Sequence, residues 1–392
     1  MAAVAVCGIN YGSNIGIDWL VVGALIAVGG VISTISSIRS EGYIAQTLAI
    51  PRSNRLPVYD YIRVIAVVLV IVFHTLNWDL SEAASLSGTG LYTGLDSLRW
   101  WSLICNMLFI MISGALLLPG KKESILLFYK KRLVRIVIPL VVYFIWYLWQ
   151  YNMLGDMTPW DVIVMICIGD VAGARVLHFW IIYEMLFIYL LVPVLRIALA
   201  KLSRRGLNIL VLCIIGFMTV GSFTSIFDSK LIMTVGYIGA AIMGYYITRE
   251  ENRIYDIAYL VMGVAATVFM FVIDADYPYF ESLVGNLSIL RLFICLGVFV
   301  IFIRIKDSLK DIYAIRLVSK YSYSIMLIHM WVLYYITRKL VPISAVMYHG
   351  LGLVISVIIT LALSIIMAYL IDNFIVNILM FLLDKGRRVD KS

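Results

Sequence analysis

Long apolar stretches separated by short polar segments dominate the pattern of the chain. Stretches long enough to cross about 30 Å of hydrocarbon lie near residues 16–36, 60–78, 100–118, 134–152, 178–199, 207–226, 231–247, 255–273, 287–303, 322–338 and 350–372. The segment 160–169 is too short to cross and carries Asp161, with Asp170 directly after it, which predicts a re-entrant or interfacial piece. The pattern therefore predicts an all-α fold, a polytopic integral membrane helix bundle.

The first apolar stretch stands apart from the other ten. It lacks a basic region before it and a clear cleavage site, and basic residues follow it, so an uncleaved helix is favoured over a signal peptide. We expect residues 1–50 to form an extra N-terminal transmembrane helix with a cytoplasmic linker. Residues 51–392 are then one membrane domain of ten core helices, and no soluble domain is expected at either end.

Composition agrees with a membrane protein. Hydrophobic residues make up 63% of the chain and charged residues 14%, and the mean hydropathy is +0.99, more apolar surface than a soluble domain can bury. The 5 cysteines show no CxxC spacing, so we predict no metal site.

The net charge of +8 is explained by where the basic residues lie, without a nucleic-acid partner. If the loop 37–59 is inside and the spans alternate, 25 of the 31 Lys and Arg residues fall on the inner side. Positive charge concentrates on the cytoplasmic side of membrane proteins. The chain is therefore predicted in the cytoplasmic (plasma) membrane as a multi-pass protein, with its N-terminus outside and its C-terminus cytoplasmic.

One helix combines a charged pair with a deeply placed imidazole. Asp60, Arg63, His74 and Trp78 lie within roughly 60° of one helical face, at about 100° per residue. His74 lies about 21 Å beyond Asp60 along the helix axis. An ionisable residue at that depth is costly in lipid and indicates a functional site, so this face should meet protein or a water-filled cavity.

Five motifs in order resemble the membrane-bound acyltransferase family 3, in its stand-alone form. They are Tyr59-Asp60-Tyr-Ile-Arg63 with Phe73-His74, Phe109-Ile-Met-Ile-Ser113-Gly114, Arg132-Leu-Val-Arg135 before Pro139, His178-Phe-Trp180 with Glu184, and Tyr321-Ser-Tyr-Ser-Ile-Met-Leu-Ile-His329. The resemblance covers about 55–383. Two packing positions depart from it, Ile-Ile after Trp180 and Met326, but the polar residues remain.

The resemblance implies an enzyme that moves an acyl group, usually acetyl, from cytoplasmic acyl-CoA (acetyl-CoA) as co-substrate to a hydroxyl. The expected acceptor is a sugar, glycan or lipid-linked compound at the membrane, as in polysaccharide modification of the cell envelope. His74 would be the general base or a transient acyl carrier, because imidazole accepts a proton near neutral pH. A homodimer is left open.

The charged residues near the inner side each allow two interpretations. Asp60 and Arg63 form either an ordinary salt bridge one turn apart or a buried pair that shapes donor entry, and Asp60 is placed with the catalytic residues. Arg132 and Arg135 are either topology anchors or a clamp for the phosphates of CoA, since guanidinium binds phosphate through two prongs. We predict the clamp, with Arg63 nearby.

The remaining candidate residues are predicted deeper in the membrane or nearer its outer side. Glu184 either orients the His74 ring or binds an acceptor hydroxyl, or it is protonated and bonded to a helix backbone. His329 is expected to bind donor or substrate. His178 is placed at the outer membrane boundary, where an interfacial role is as suitable as a contact with the acceptor. His349 is taken as incidental, and Ser113-Gly114 as a close packing contact between helices.

A rival class is a proton-coupled transporter or flippase without acyl-transfer chemistry, since carriers also place His, Arg and Glu in the membrane. The chain shows no repeats of the transporter kind, and its basic inner rim suits a phosphorylated donor. A receptor or scaffold leaves the His74 face unexplained.

Overall fold

The structure is a computed structural model that describes residues 56–82, 89–120, 123–223, 229–273, 280–285, 287–342 and 350–380. The described chain is helical, with no β-strand in these ranges. The all-α prediction is thus confirmed. The predicted helix at 16–36 lies outside the described residues.

Thirteen helices are labelled here in chain order. They are α1 (Pro57–Glu82), α2 (Gly90–Ser102), α3 (Ile104–Leu117), α4 (Ile125–Gln150), α5 (Pro159–Ile168), α6 (Trp180–Ala200), α7 (Arg204–Phe223), α8 (Ser229–Ile247), α9 (Asp256–Val272), α10 (Phe280–Val284), α11 (Ile289–Arg304), α12 (Tyr313–Val332) and α13 (Leu351–Ile371). A π-helical turn, Leu333–Thr337, follows α12.

Each of the ten predicted spans after the first coincides with a helix. Eight helical segments of the described chain are long and apolar enough to cross a membrane: Pro57–Glu82, Gly90–Leu117, Ile125–Gln150, Leu177–Ala200, Arg204–Phe223, Glu251–Val272, Ser282–Arg304 and Leu351–Met380. The protein is therefore an integral membrane protein. The number of crossings stays a prediction, because α8 is shorter in its apolar part, Ile232–Ile247, and α12 does not meet these criteria.

The segment 160–169 forms the short helix α5. Thr158 and Asp161 make a reciprocal capping box at its start, and Gly169 ends it with a φ of 70°, a left-handed conformation that glycine adopts at no steric cost. Ten residues of helix span only about 15 Å, so α5 is too short to cross, as predicted.

The first described helix runs parallel to α12. Asp60 contacts Ser319 near the start of both helices, His74 contacts His329 further along, and Trp78 contacts Tyr334 beyond. The side of α1 that the sequence singled out therefore faces protein rather than lipid. α1 also packs against α2 and α3.

The described chain belongs to two compact units. The larger unit is Arg52–Ala368 and contains every residue discussed below as part of the site. Within the smaller unit, Asn373 donates from its side chain to the carbonyl of Tyr369, and a π-helical turn covers Asp372–Val376.

Candidate active site

Three histidines meet inside the larger unit. The ring of His74 on α1 lies 5.0 Å from that of His329 on α12 and 6.3 Å from that of His178, and the rings of His178 and His329 are 5.5 Å apart. His178 belongs to a short 3₁₀ turn, Leu177–Phe179, directly before α6. Among the described residues, no group of His, Cys, Asp and Glu is arranged to hold a metal ion.

The local environment fixes which nitrogen of His329 carries its proton. Its Nδ1 lies 2.9 Å from the carbonyl oxygen of Met326 and 3.2 Å from that of Ile325. A carbonyl only accepts, so Nδ1 is the donor and Nε2 of the neutral ring holds a lone pair. That Nε2 is buried and makes no hydrogen bond within the described chain.

His178 is fixed in the opposite sense. Its Nε2 donates to the carbonyl of Leu327 over 3.1 Å, so in the neutral ring Nδ1 holds the lone pair. His178 and His329 are both anchored on the backbone of α12, and each keeps one nitrogen able to accept a proton.

The hydroxyl of Tyr147 organises the same stretch of α12. It donates to the carbonyl of Leu327 and accepts from the N–H of Trp331, each over 3.1 Å. These are the two backbone groups that an α-helix pairs four residues apart, so the hydroxyl bridges the helix ladder beside His329. The Tyr147 ring also lies 5.4 Å from that of His178.

The three histidines line one cavity of ≈ 230 Å³. Its wall further includes the indoles of Trp100 and Trp180 and the polar side chain of Asn106, with apolar residues between them. A cavity with three imidazoles, two indoles and an amide in its wall can hold a hydroxyl group close to a proton acceptor.

The N-terminal end of α1 makes a separate polar contact. Asp60 is buried, accepts from the hydroxyl of Ser319 over 2.5 Å and lies 3.4 Å from Arg63. The pair predicted from the sequence is present, but Asp60 lies fourteen residues before His74, about 21 Å along the helix. Asp60 therefore lies at the contact between α1 and α12, away from the imidazoles.

Arg132 and Arg135, the two arginines predicted as a clamp, lie in different environments. Arg132 is half-buried, with its guanidinium carbon 5.8 Å from the centre of the Phe128 ring, whereas Arg135 is exposed. A third cation, Arg196 near the end of α6, lies against the same ring, 4.8 Å from its centre. Arg132 thus shares a surface with Arg196.

Glu184 lies one helical turn after Trp180 on α6 and is half-buried. It is not among the residues that line the histidine cavity. The ring of Trp180, one turn earlier, lies 5.9 Å from that of the buried Tyr237. Glu184 thus lies outside the lining of the histidine cavity, and its role in orienting His74 or binding an acceptor hydroxyl stays a prediction.

The sequence leaves His178 open between an interfacial role and a contact with the acceptor, and it does not single out Tyr147. The pairing of His178 with α12 has no local signal in the chain. Tyr147 is one of 25 tyrosines, and only the fold shows that it bridges α12. His349, the fourth histidine, lies outside the described residues.

The fold and the cavity define a class: a polytopic membrane protein with a cavity lined by three histidines. The model of a known family, described as an acyltransferase domain (acyltransferase 3), matches residues 57–372. This match covers most of the chain, which therefore belongs to the acyltransferase 3 family and is a membrane acyltransferase. Comparisons with curated proteins and with solved structures give no match.

Proposed function

We propose that this protein is a membrane O-acyltransferase that moves an acetyl group from cytoplasmic acetyl-CoA to a hydroxyl of a sugar or glycan acceptor at the membrane. The observation that carries the proposal is the meeting of His74, His178 and His329 on one cavity. Imidazole is the side chain best suited to accept a proton near neutral pH.

The proposed reaction needs one proton acceptor that later becomes a donor. His74 takes the proton of the acceptor hydroxyl while the hydroxyl oxygen attacks the thioester carbonyl. The tetrahedral intermediate collapses, the carbon–sulfur bond breaks, and the imidazolium returns the proton to the leaving thiolate. A variant in which His74 first carries the acyl group as acyl-imidazole is compatible with the same contacts.

His329 supports this role through its free nitrogen. Its ring lies 5.0 Å from that of His74, and its Nε2 is the lone-pair nitrogen. An N–H of His74 can be shared with that acceptor, which leaves the other nitrogen of His74 to take the hydroxyl proton. His329 is then a positioning residue, where the sequence alone suggested donor binding.

The shape and lining of the cavity support a small acyl group and a sugar. Its volume of ≈ 230 Å³ is below the roughly 300–1,000 Å³ usual for drug-sized ligands, which favours acetyl over a fatty chain. The flat faces of Trp100 and Trp180 suit the apolar face of a sugar ring. Cell-envelope glycans and lipid-linked saccharides of the plasma membrane are the proposed acceptors.

The test of the chemistry uses the full chain, purified in detergent with radiolabelled acetyl-CoA. We expect release of CoA thiol and acetyl transfer to a hydroxyl acceptor, which a transporter would not show. His74→Gln keeps a hydrogen-bonding side chain but cannot take the proton, so transfer should fall about 10²–10⁴-fold. The matched control is His349→Gln, with wild-type activity expected.

Retention of more than about a tenth of wild-type transfer by His74→Gln, above the range for losing a general base, would make His74 an orienting residue. The base would then be sought at His329 or His178, the other two histidines of the cavity. The acceptor is tested by mass spectrometry of surface glycans and lipids with and without the protein. A lost acetyl mass identifies the acceptor, and an unchanged profile contradicts a surface glycan.

A further inference from the structure

A cluster of charges joins the inner ends of three helices. Glu123 precedes α4, and its carboxylate lies 3.9 Å from the ammonium of Lys131 and 3.8 Å from the guanidinium of Arg196. Arg132 and Arg196 both lie against the ring of Phe128. Two cations thus contact one carboxylate, and Arg132 shares the Phe128 ring with one of them, so the cluster carries a net positive charge.

Some buried polar atoms of this cluster make no hydrogen bond. Within the described chain, Oε1 of Glu123 and Nε of Arg132 are buried and make no hydrogen bond. The side chains of Glu123 and Arg196 are only 10% and 14% exposed. Leaving buried charged groups without hydrogen bonds is costly, so the arrangement suits a ligand that supplies more acceptor oxygens than one carboxylate does.

Arg196 is held in a way that leaves its outer nitrogens available. Its Nε donates to the carbonyl of Leu117 at the end of α3 over 2.7 Å. The guanidinium is thereby fixed between α3, α4 and α6, and its terminal nitrogens lie on the side of Glu123. Arg135, three residues after Arg132, is exposed and outside this cluster.

We propose that Arg132 and Arg196 together bind the diphosphate of the acyl donor, and that Glu123 occupies the anion position until the donor displaces it. This assignment rests on the proposed function, because it takes the donor to be a CoA thioester. Guanidinium pairs bind phosphate oxygens bidentately. The second arm of the clamp is therefore on α6 rather than at Arg135.

The position fits a donor that reaches the histidines through its long thiol-bearing arm. Tyr147, whose ring contacts His178, lies fifteen residues beyond Arg132 on α4, about 22 Å along the axis. The diphosphate and the thioester of an extended CoA molecule are separated by a pantetheine chain of comparable length. The cluster and the cavity can thus hold the two ends of one donor.

The experiment measures binding of CoA, of 3′-dephospho-CoA and of acetyl-pantetheine to the full chain in neutral detergent by calorimetry. Arg196→Ala should weaken both diphosphate-containing ligands about tenfold or more and leave acetyl-pantetheine, which lacks the diphosphate, unchanged. Arg196→Lys keeps the charge without the two-pronged geometry and should recover only part of the affinity.

Glu123→Gln gives the sharpest outcome. Removal of a competing carboxylate should strengthen CoA binding about two- to fivefold, whereas a purely structural Glu123 would leave affinity unchanged or reduce it. The matched controls are Arg205→Ala and Asp307→Asn, two exposed residues outside the cluster, which should bind CoA like the wild type. Thermal unfolding of each variant confirms that it is folded.

The outcomes separate this assignment from the proposed function. If the wild type binds CoA and both Arg196 variants bind it equally well, the clamp is wrong and the acyltransferase proposal stands. If the wild type binds no CoA, both fall. If Arg196→Ala weakens binding of phosphatidylglycerol in mixed micelles without changing CoA binding, the cluster holds a lipid headgroup and the assignment is overturned.

Discussion

His329 presents two chemically different nitrogens to its surroundings, and this difference can be tested residue by residue. Nδ1 donates toward the carbonyls of Met326 and Ile325. Nε2, in a ring 5.0 Å from that of His74, is buried and makes no hydrogen bond within the described chain. An asparagine amide reaches the position of Nδ1, and a glutamine amide reaches that of Nε2. His329→Asn therefore preserves the hydrogen bond of Nδ1, and His329→Gln preserves the acceptor at the position of Nε2.

We predict that His329→Gln retains at least about fivefold more kcat than His329→Asn, because only Gln places an acceptor near His74. The loss of one strong hydrogen bond in the transition state corresponds to about tenfold in rate. KM for acetyl-CoA should change little in either variant. Steady-state kinetics over a range of pH checks this, and greater activity in His329→Asn would show that the α12 contact is what matters.

At the residue level, the sequence indicates chemistry only where a polar or ionisable side chain interrupts an apolar stretch. His74 was identifiable because an imidazole deep in an apolar stretch has no solvent to stabilise it. The depth of His329 is harder to read from the sequence, because its apolar stretch begins only near 322. The helix begins at Tyr313, so His329 lies about 24 Å along it, level with His74.

Glycine contacts bring α3 and α8 together at the level of the backbone. A Cβ on Gly114 would lie 1.8 Å from the carbonyl oxygen of Ala241, and one on Gly244 would lie 2.0 Å from that of Met111. This confirms the interpretation of Ser113-Gly114 as a packing contact. The contact positions α3, whose first turns carry Cys105 and Asn106 at the cavity wall.

We predict that Gly114→Ala and Gly244→Ala each destabilise the protein by about 1–3 kcal/mol, because the added methyl groups overpack a backbone contact. Gly216→Ala on α7 is the matched control, since a Cβ there meets nothing within 4 Å and alanine favours a helix. Thermal unfolding in detergent measures the difference. Equal stability of all three variants would show that the close backbone contact between α3 and α8 does not stabilise the protein.

The elements themselves were largely predictable, because lipid requires long apolar helices whose backbone bonds are internal. What the sequence could not supply is contact between helices distant in the chain. The bridge of Tyr147 across Leu327 and Trp331 and the sharing of Phe128 by Arg132 and Arg196 depend on packing that no local pattern encodes.

Across the whole molecule, the direction of the helices constrains how many times the chain crosses. α1 and α12 are parallel, and so are α4 and α12, because Ile136 contacts Tyr323 before Gln150 contacts Trp331. Parallel helices require an odd number of crossings between them. Between α1 and α12 this number is odd, seven, when the shorter helix α8 crosses and α5 does not, which agrees with the predicted alternation.

The same alternation predicts which residues face the cytoplasm. Asp307, between α11 and α12, lies at the end of the bundle that carries the excess of Lys and Arg, whereas Asp156, between α4 and α5, lies at the opposite end. Both are exposed. In a background without the native cysteines, Asp156→Cys in intact cells should react with a membrane-impermeant maleimide, and Asp307→Cys should react only after the cells are opened.

The alternative labelling patterns can also be interpreted, because positions 156 and 307 are separated by an odd number of predicted membrane crossings. Labelling of both from one side would contradict the count of crossings and with it the predicted topology. Labelling of Asp307→Cys alone in intact cells would keep the fold but invert it. Arg132 and Arg196 would then face away from the cytoplasm, where CoA thioesters are made, and the acyl donor would have to be another activated acyl compound. The expected pattern instead places the arginine pair on the cytoplasmic side and the histidine cavity toward the outer half, the order in which a cytoplasmic acyl group would reach an acceptor at the outer surface.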